Sequence, residues 1–236
     1  MRRRRLTTNE VDELRSRLMK CGPRAYQRFP WRKRIPMWKG LLVEVMLQRT
    51  KAVQVVPAFN ELDRRYRTAS SLRELTAEEV QRLFSPLGLR WRAPLFLRLV
   101  REIEARNGRL PRTVRGLCAL PAVGPYAAGA ALSLHGHKRA IIVDSNVVRV
   151  VSRIFAADWD GETRRQDWVI QFLERLTPAL QFTRFNYALI DLGMQLCRPL
   201  RPQCETCPIV RICATGLKSS DLSGRTVRHG QVGVER

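Results

Sequence analysis

The chain is short of negative charge. Against 43 Lys and Arg stand only 21 Asp and Glu, a formal net charge of +22 over 236 residues. Lysine is scarce too, with six of those cations against 37 Arg. Arg presents a planar fork of donors that matches phosphate oxygens, whereas Lys is a hydrated point charge. Codon bias toward Arg would explain the ratio of Arg to Lys but not the missing carboxylates. The charge therefore points to a polyanionic partner, nucleic acid ahead of an anionic membrane surface. Long apolar runs are absent as well. The longest, Leu41 to Leu47, is seven residues with Glu44 in its middle, far from the ~20 that cross a bilayer. Met1 and Arg2 to Arg5 lead through Leu6 into Thr-Thr-Asn-Glu-Val-Asp-Glu, not into an apolar export core. The expectation is a cytoplasmic protein with no membrane partner. In that compartment six cysteines are not expected to form disulfides.

What is present is an ordinary globular balance, 44% hydrophobic and 27% charged. A chain of this length buries roughly 70–75% of its unfolded surface and needs no disulfide scaffold. Apolar groups recur at three-to-four spacing over 11–20, 52–67, 77–84, 92–105, 145–154, 163–177 and 182–196, and no run alternates long enough for a strand. The fold class is all-α. Turn signals fall at Gly22-Pro23, Asn107-Gly108, 120–125, His135-Gly136 and 158–161. From Ser219 onward the chain turns polar and Gly-rich, and residues 217–236 read as a disordered tail. Arg2 to Arg5 read as a solvated tail or a phosphate-binding arm.

Three local patterns carry chemistry. Cys197, Cys204, Cys207 and Cys213 form C-x6-C-x2-C-x5-C. One close pair flanked by longer loops suits an iron–sulfur cluster better than zinc, whose sites come as two short knuckles. Cys21 and Cys118 stand alone and read as buried core thiols. Residues 113–134 read as a short helix, a Pro/Gly turn and a second helix opened by Pro125, which directs backbone N–H groups outward as a phosphate needs. About twenty residues on comes Val143-Asp144-Ser145-Asn146, where Asp144 reads as an N-cap.

Hairpin, downstream aspartate and cysteine spacing together resemble the helix–hairpin–helix DNA glycosylases of the endonuclease III type. The resemblance runs from Phe29-Pro30-Trp31-Arg32 to Ala214, and 43–50 with Arg184-Phe185-Asn186 are similar to the mismatch-specific branch. One departure is Ala122, where the family's hairpin has a glycine. The resemblance implies a six-helix barrel domain over 35–140, an iron–sulfur domain from 1–34 and 141–216 with a 4Fe-4S cluster, and DNA in the cleft between them. It implies base excision repair of mismatched duplex DNA by a monomer that flips its target base.

Breaking an N-glycosidic bond develops positive charge on the sugar and needs help for the departing base. By resemblance Asp144 supplies the negative charge. Glu44, set in an apolar run where burial should raise its pKa, helps the base. Asn146 orients Asp144 or caps the helix. Tyr126 falls where the lyase branch carries a lysine, and a phenol forms no Schiff base, so the enzyme is expected to be monofunctional. Gln48, Arg49, Thr50 and Leu89 sit where the family probes the base stack, and Val123 and Gly124 where the hairpin meets phosphate. Residues 44–48 are similar to the adenine glycosylases, which usually carry a further C-terminal domain, where only 23 residues follow Cys213 here. Leu87-Gly88-Leu89 and Arg49-Thr50 are closer to the thymine-mismatch glycosylases. The expected substrate is thymine or uracil opposite guanine. The alternatives are adenine opposite guanine or 8-oxoguanine, and a non-catalytic DNA-binding module.

The charge makes a measurable demand. If ~5 phosphates are neutralised, log affinity for duplex DNA should fall against log salt with a slope of about −4.5. An affinity nearly independent of salt, read by fluorescence anisotropy, would remove the electrostatic argument.

Overall fold

The computed structural model describes residues 4–25, 28–88 and 90–218, with only the backbone of 21–25. It is helical, with no strand among the described residues. In chain order the α-helices are α1 (Thr8–Ala25), α2 (Met37–Met46), α3 (Ala52–Arg65), α4 (Ala77–Phe84) and α5 (Ala93–Ala105). They continue with α6 (Val114–Cys118), α7 (Pro125–Ala130), α8 (Ser145–Phe155), α9 (Asp167–Leu176) and α10 (Phe182–Gln195). None is long and apolar enough to cross a membrane. The chain divides into two compact units, Gln27–Ile142 and Met1–Tyr26 with Val143–Arg236.

In the unit spanning 27–142 the central element is α2, buried from Trp38 to Met46. It packs on α7 and on the π-turn Ala131–His135 that continues it. That approach is possible because Ala127, Ala128, Ala130 and Ala131 are small and wholly buried. A Cβ at Gly129 would stand 2.5 Å from the Ile141 carbonyl oxygen. Around this pair, α5 buries Phe96, Leu99, Val100 and Ile103, with Leu95 half-buried at the edge of the stripe. Phe96 meets Phe84 of α4 at 4.7 Å between ring centres. Each such buried side chain contributes about 1.5–3 kcal/mol of transfer free energy.

In the other unit α1 packs along α10, and α10 along α8. Leu14 and Leu18 meet a core with Phe185, Val147, Val151 and Ile154, all at most 1% exposed. The sequence spacing starts the first helix at 11, but a reciprocal cap starts it at Thr8. Glu10 N–H donates to Thr7 Oγ1 at 3.2 Å and Thr7 N–H to Glu10 Oε2 at 2.8 Å. The turn expected at Gly22-Pro23 does not form, and α1 runs on to Ala25. Pro23 lacks the N–H that would reach the Met19 carbonyl, and Arg184 Nη2 donates there instead at 3.1 Å. The single helix expected over 163–177 is divided into a 3-10 turn, Thr163–Arg165, and α9. Gln166 is extended between them, at φ −74° and ψ 133°, and Asp160 fixes the entry to the turn: its Oδ1 accepts from the N–H of Glu162 and of Thr163 and from Thr163 Oγ1. Arg4 is neither arm nor loose tail, for it pairs with Glu10 and donates to the Ile212 carbonyl. Arg2 and Arg3, Cys21's side chain and the tail from 219 lie outside the described residues. Residues 217 and 218 belong to a last helical turn.

The hairpin between α6 and α7 holds a backbone oddity. Thr113 caps α6 by accepting from Gly116 N–H at 3.1 Å. The turn then carries Ala122 at φ +61°, the left-handed region. For an L-residue that conformation costs about 1–2 kcal/mol, which explains a glycine in similar hairpins. Glycine loses more chain entropy on folding, roughly 0.5–1 kcal/mol. Ala122→Gly should therefore stabilise by about 0.5–1 kcal/mol, raising the thermal midpoint by about 1–4 °C. A midpoint unchanged or lowered in a melting experiment would contradict the strain.

Candidate functional site

Glu44 and Tyr126 meet within the unit spanning 27–142. Glu44 lies in α2 at 1% exposure. Its surroundings are not all apolar as the sequence run suggests. Tyr126 Oη donates to Glu44 Oε2 at 2.8 Å, and His135 Nε2 lies 3.3 Å from Oε1. Tyr126 stands one residue past Pro125, in the first turn of α7, and its phenol is committed to the carboxyl.

Asp144 and Asn146 meet in the other unit, at the start of α8. Asp144 is the N-cap, its Oδ1 accepting from Val147 N–H at 2.7 Å. Its Oδ2 accepts from Asn146 Nδ2 at 2.8 Å, so Asn146 orients the carboxyl rather than capping in its own right. Burial pushes the Asp144 carboxyl up, against the pull of those two donors and of the Arg149 charge. Arg149 is 4% exposed and holds the arrangement. It donates from Nη2 to Asn146 Oδ1 and the Gly193 carbonyl, both at 2.8 Å, and from Nε to the Cys197 carbonyl at 2.7 Å. Gly193 has no side chain because a Cβ there would stand 2.7 Å from Asn146 Cβ.

The residues expected to face DNA differ in exposure. Gln48 is half-buried and held by Arg92, whose Nη2 donates to Gln48 Oε1 at 2.7 Å. Arg49 is exposed at φ +61°, and Thr50 is half-buried beside it. Leu89 lies outside the described residues. Val123 is turned inward at 7% exposure, and its N–H donates to the Leu120 carbonyl at 3.3 Å. Gly124 has an ordinary φ of −98° and nothing within 4 Å of a built Cβ. Neither backbone strain nor packing therefore requires a glycine there.

Cys197, Cys204, Cys207 and Cys213 all line one cavity of about 370 Å3, part of it open to solvent. Val150, Leu192, Leu196, Ile209 and Val210 form its apolar wall. Burial pushes the Cys207 thiol up to about 12 and the Cys213 thiol up as well. Arg153 Nη1 donates to Cys197 Sγ at 3.3 Å and its carbonyl accepts from Cys213 Sγ at 3.3 Å. Among the described residues no three His, Cys, Asp or Glu side chains close on a single ion position. The thiols surround a space instead. Cys118 is half-buried rather than in the core.

Three residues of these sites went unread in the sequence. Arg149 was legible as a cation on the apolar face of α8, three residues from Asn146. Arg92 and His135 carried no such signal, because their partners, Gln48 and Glu44, are 44 and 91 positions away.

Residues 42–171 match the family model described as HhH-GPD superfamily base excision DNA repair protein. A thymine/uracil-DNA glycosylase of Pyrobaculum aerophilum is 32% identical over 187 residues, covering 76% of this chain and 80% of that protein. An adenine DNA glycosylase of Buchnera aphidicola is 28% identical over 192 residues, 80% of this chain, which spans about half of that protein at 54%. Among solved structures, a thermostable thymine-DNA glycosylase superposes with a TM-score of 0.81 at 26% identity, over 89% of this chain and 98% of that one.

The Asp144 arrangement sets a titration. Burial raises the carboxyl and Asn146 lowers it, so Asn146→Ala should raise it further. Carbon-13 NMR of the side-chain carboxyl should give a value above the ordinary Asp value, and a higher one in the variant. A titration at or below the ordinary value would contradict the burial.

Proposed function

The chain belongs to the HhH-GPD superfamily of base excision DNA repair proteins, and from that membership we propose that it removes thymine or uracil mispaired with guanine. It is a DNA glycosylase, and DNA is its partner. The observation that carries it is the likeness to thymine glycosylases, at 32% identity in sequence and a TM-score of 0.81 in structure. Arg49 followed by Thr50 supports the same branch.

Flipping the target base costs a few kcal/mol and costs least at a mismatch. As the glycosidic bond breaks, charge grows on the sugar, and the Asp144 anion, fixed by Val147 N–H and Asn146, is the group to stabilise it. Glu44 assists the departing base. Tyr126, bound to Glu44 and unable to form an imine, supports hydrolysis without lyase chemistry. The open position at Gly124 leaves room for a phosphate against the start of α7. We place the enzyme, as a monomer, with the DNA of the cytoplasm.

The four cysteines fit a 4Fe-4S cluster. Four thiols round one apolar-walled cavity, with Arg153 beside Cys197, offer a cage for several irons rather than a seat for one ion. Cys197, Cys204, Cys207 and Cys213 would each hold one iron. The cluster would supply a covalent tie across a stretch of chain with little regular structure.

A second reading is adenine excision, favoured by residues 44–48 and by the Buchnera aphidicola match. A panel of duplexes decides, with thymine, uracil or adenine opposite guanine, and adenine opposite 8-oxoguanine. Thymine and uracil should be released opposite guanine, and Asp144→Asn should lose release by at least ~100-fold while keeping mismatch binding. Release of adenine alone would overturn the choice of base. Anaerobically purified protein should carry about four iron and four sulfide per chain. Stoichiometric zinc without sulfide would overturn the cluster.

A further inference from the structure

A buried imidazole lies against Glu44 with no part yet in the chemistry. The His135 side chain is 1% exposed, and its Nε2 stands 3.3 Å from Glu44 Oε1. Two irregularities admit that contact. The helix opened by Pro125 loosens into a π-turn over Ala131–His135, which adds a residue to the turn and re-aims position 135. Facing it, α2 has a glycine in its middle, where a Cβ at Gly40 would lie 2.2 Å from His135 Cγ. A glycine inside a helix costs about 1 kcal/mol against Ala. The three atoms nearest to such a Cβ all belong to the His135 side chain.

The two oxygens of Glu44 thus have different partners. Tyr126 addresses Oε2 and His135 addresses Oε1. Of those partners only imidazole changes charge near neutral pH. Neighbouring charged groups are engaged elsewhere. On α2, Lys39 pairs with Asp63; Arg112 donates to the Gly136 carbonyl, and Lys138 to the Arg112 carbonyl. His137 is exposed. Within this corner of the fold the titratable group beside the pair is Tyr126, bound to the other oxygen of Glu44.

We propose that His135 shares one proton with Glu44, so that the pair begins each turnover with an exchangeable proton and passes it through Glu44 to the departing pyrimidine. This rests on the excision reading above. In that step the N-glycosidic bond breaks with its electron pair going to the base, and the shared proton neutralises the base. Water adds to the sugar carbon, and the proton it loses restores the pair. His135 acts through Glu44 and is a positioning residue. The proton lies between His135 Nε2 and Glu44 Oε1, which stand 3.3 Å apart.

The test uses leaving groups of different basicity. Single-turnover release of thymine, uracil and 5-fluorouracil opposite guanine is measured across pH for the wild type, His135→Gln and His135→Ala. Glutamine can still hydrogen-bond Glu44 but cannot hold the proton. 5-Fluorouracil leaves readily as an anion and needs the proton least. His135→Gln should slow thymine and uracil by about tenfold or more, slow 5-fluorouracil by no more than about threefold, and move the alkaline limb of the pH profile downward. Equal slowing of all three bases with an unmoved pH profile would make the role structural and overturn the proposal, as would no slowing. A second measurement stands apart from activity. The chain has three histidines, His135, His137 and His229, so the imidazole nitrogens resolve readily by nitrogen-15 NMR. Glu44→Gln should change the titration and tautomer signals of His135, and a His135 signal indifferent to that change would overturn the pairing. A wild type inactive on every pyrimidine mispair would overturn the excision reading while leaving the NMR result to judge the pair.

Discussion

A carboxylate set in the apolar stretch of a buried helix stays buried only if its neighbours satisfy both oxygens, and much of the unit spanning 27–142 answers to that demand. Leaving an ionised group unpaired in the interior costs several kcal/mol. The residues of α2 around Glu44 offer no side-chain donor to it. The donors come from α7 and its continuation, so that segment must come close to α2. Closeness explains why the segment is built of alanine, with Gly129 pressed on the Ile141 carbonyl. It also fixes where α7 begins, and with it the position of the hairpin turn and of Gly124. One satisfied carboxylate thus places both the proposed aid to the departing base and the turn proposed to meet phosphate.

In the other unit a guanidinium has the corresponding part. Arg149 is buried, and it donates to oxygens of the α8 start, of Gly193 and of Cys197. Charge-assisted bonds of this kind are about twice as strong as neutral ones. Asp144 is therefore positioned at second hand: Asn146 aims it, Arg149 aims Asn146, and the chain leading into the cysteine loop anchors Arg149. Disturbance of that loop reaches the carboxylate through three hydrogen bonds.

What the sequence discloses is what repeats or what is local. Helical spacing locates α3, α4, α5, α8 and α10 because burial of one face imposes the period. The cysteine spacing and the Asp-Ser-Asn start of α8 are equally plain, since each is a short-range pattern. Long-range compensation is hidden. Nothing near Pro23 announces that Arg184 will supply the missing donor and carry α1 through a proline. Likewise nothing near Glu44 announces His135, and an apolar run in sequence is not an apolar environment in the fold. Ala122 shows a third limit, because a left-handed residue is visible only as a departure from a glycine expected by resemblance.

The fit of Gly40 to His135 also constrains the order in which the two positions can change. With imidazole in place, any side chain at 40 collides with the ring, so that position is closed to substitution. Shortening residue 135 first removes the obstacle and frees position 40 to take alanine, regaining helix propensity. The reverse path begins with a clash. Once a lineage has traded His135 for a small residue and then filled position 40, histidine cannot return in one step. The contact is simple to lose and hard to recover, a ratchet set by a few ångströms of helix surface.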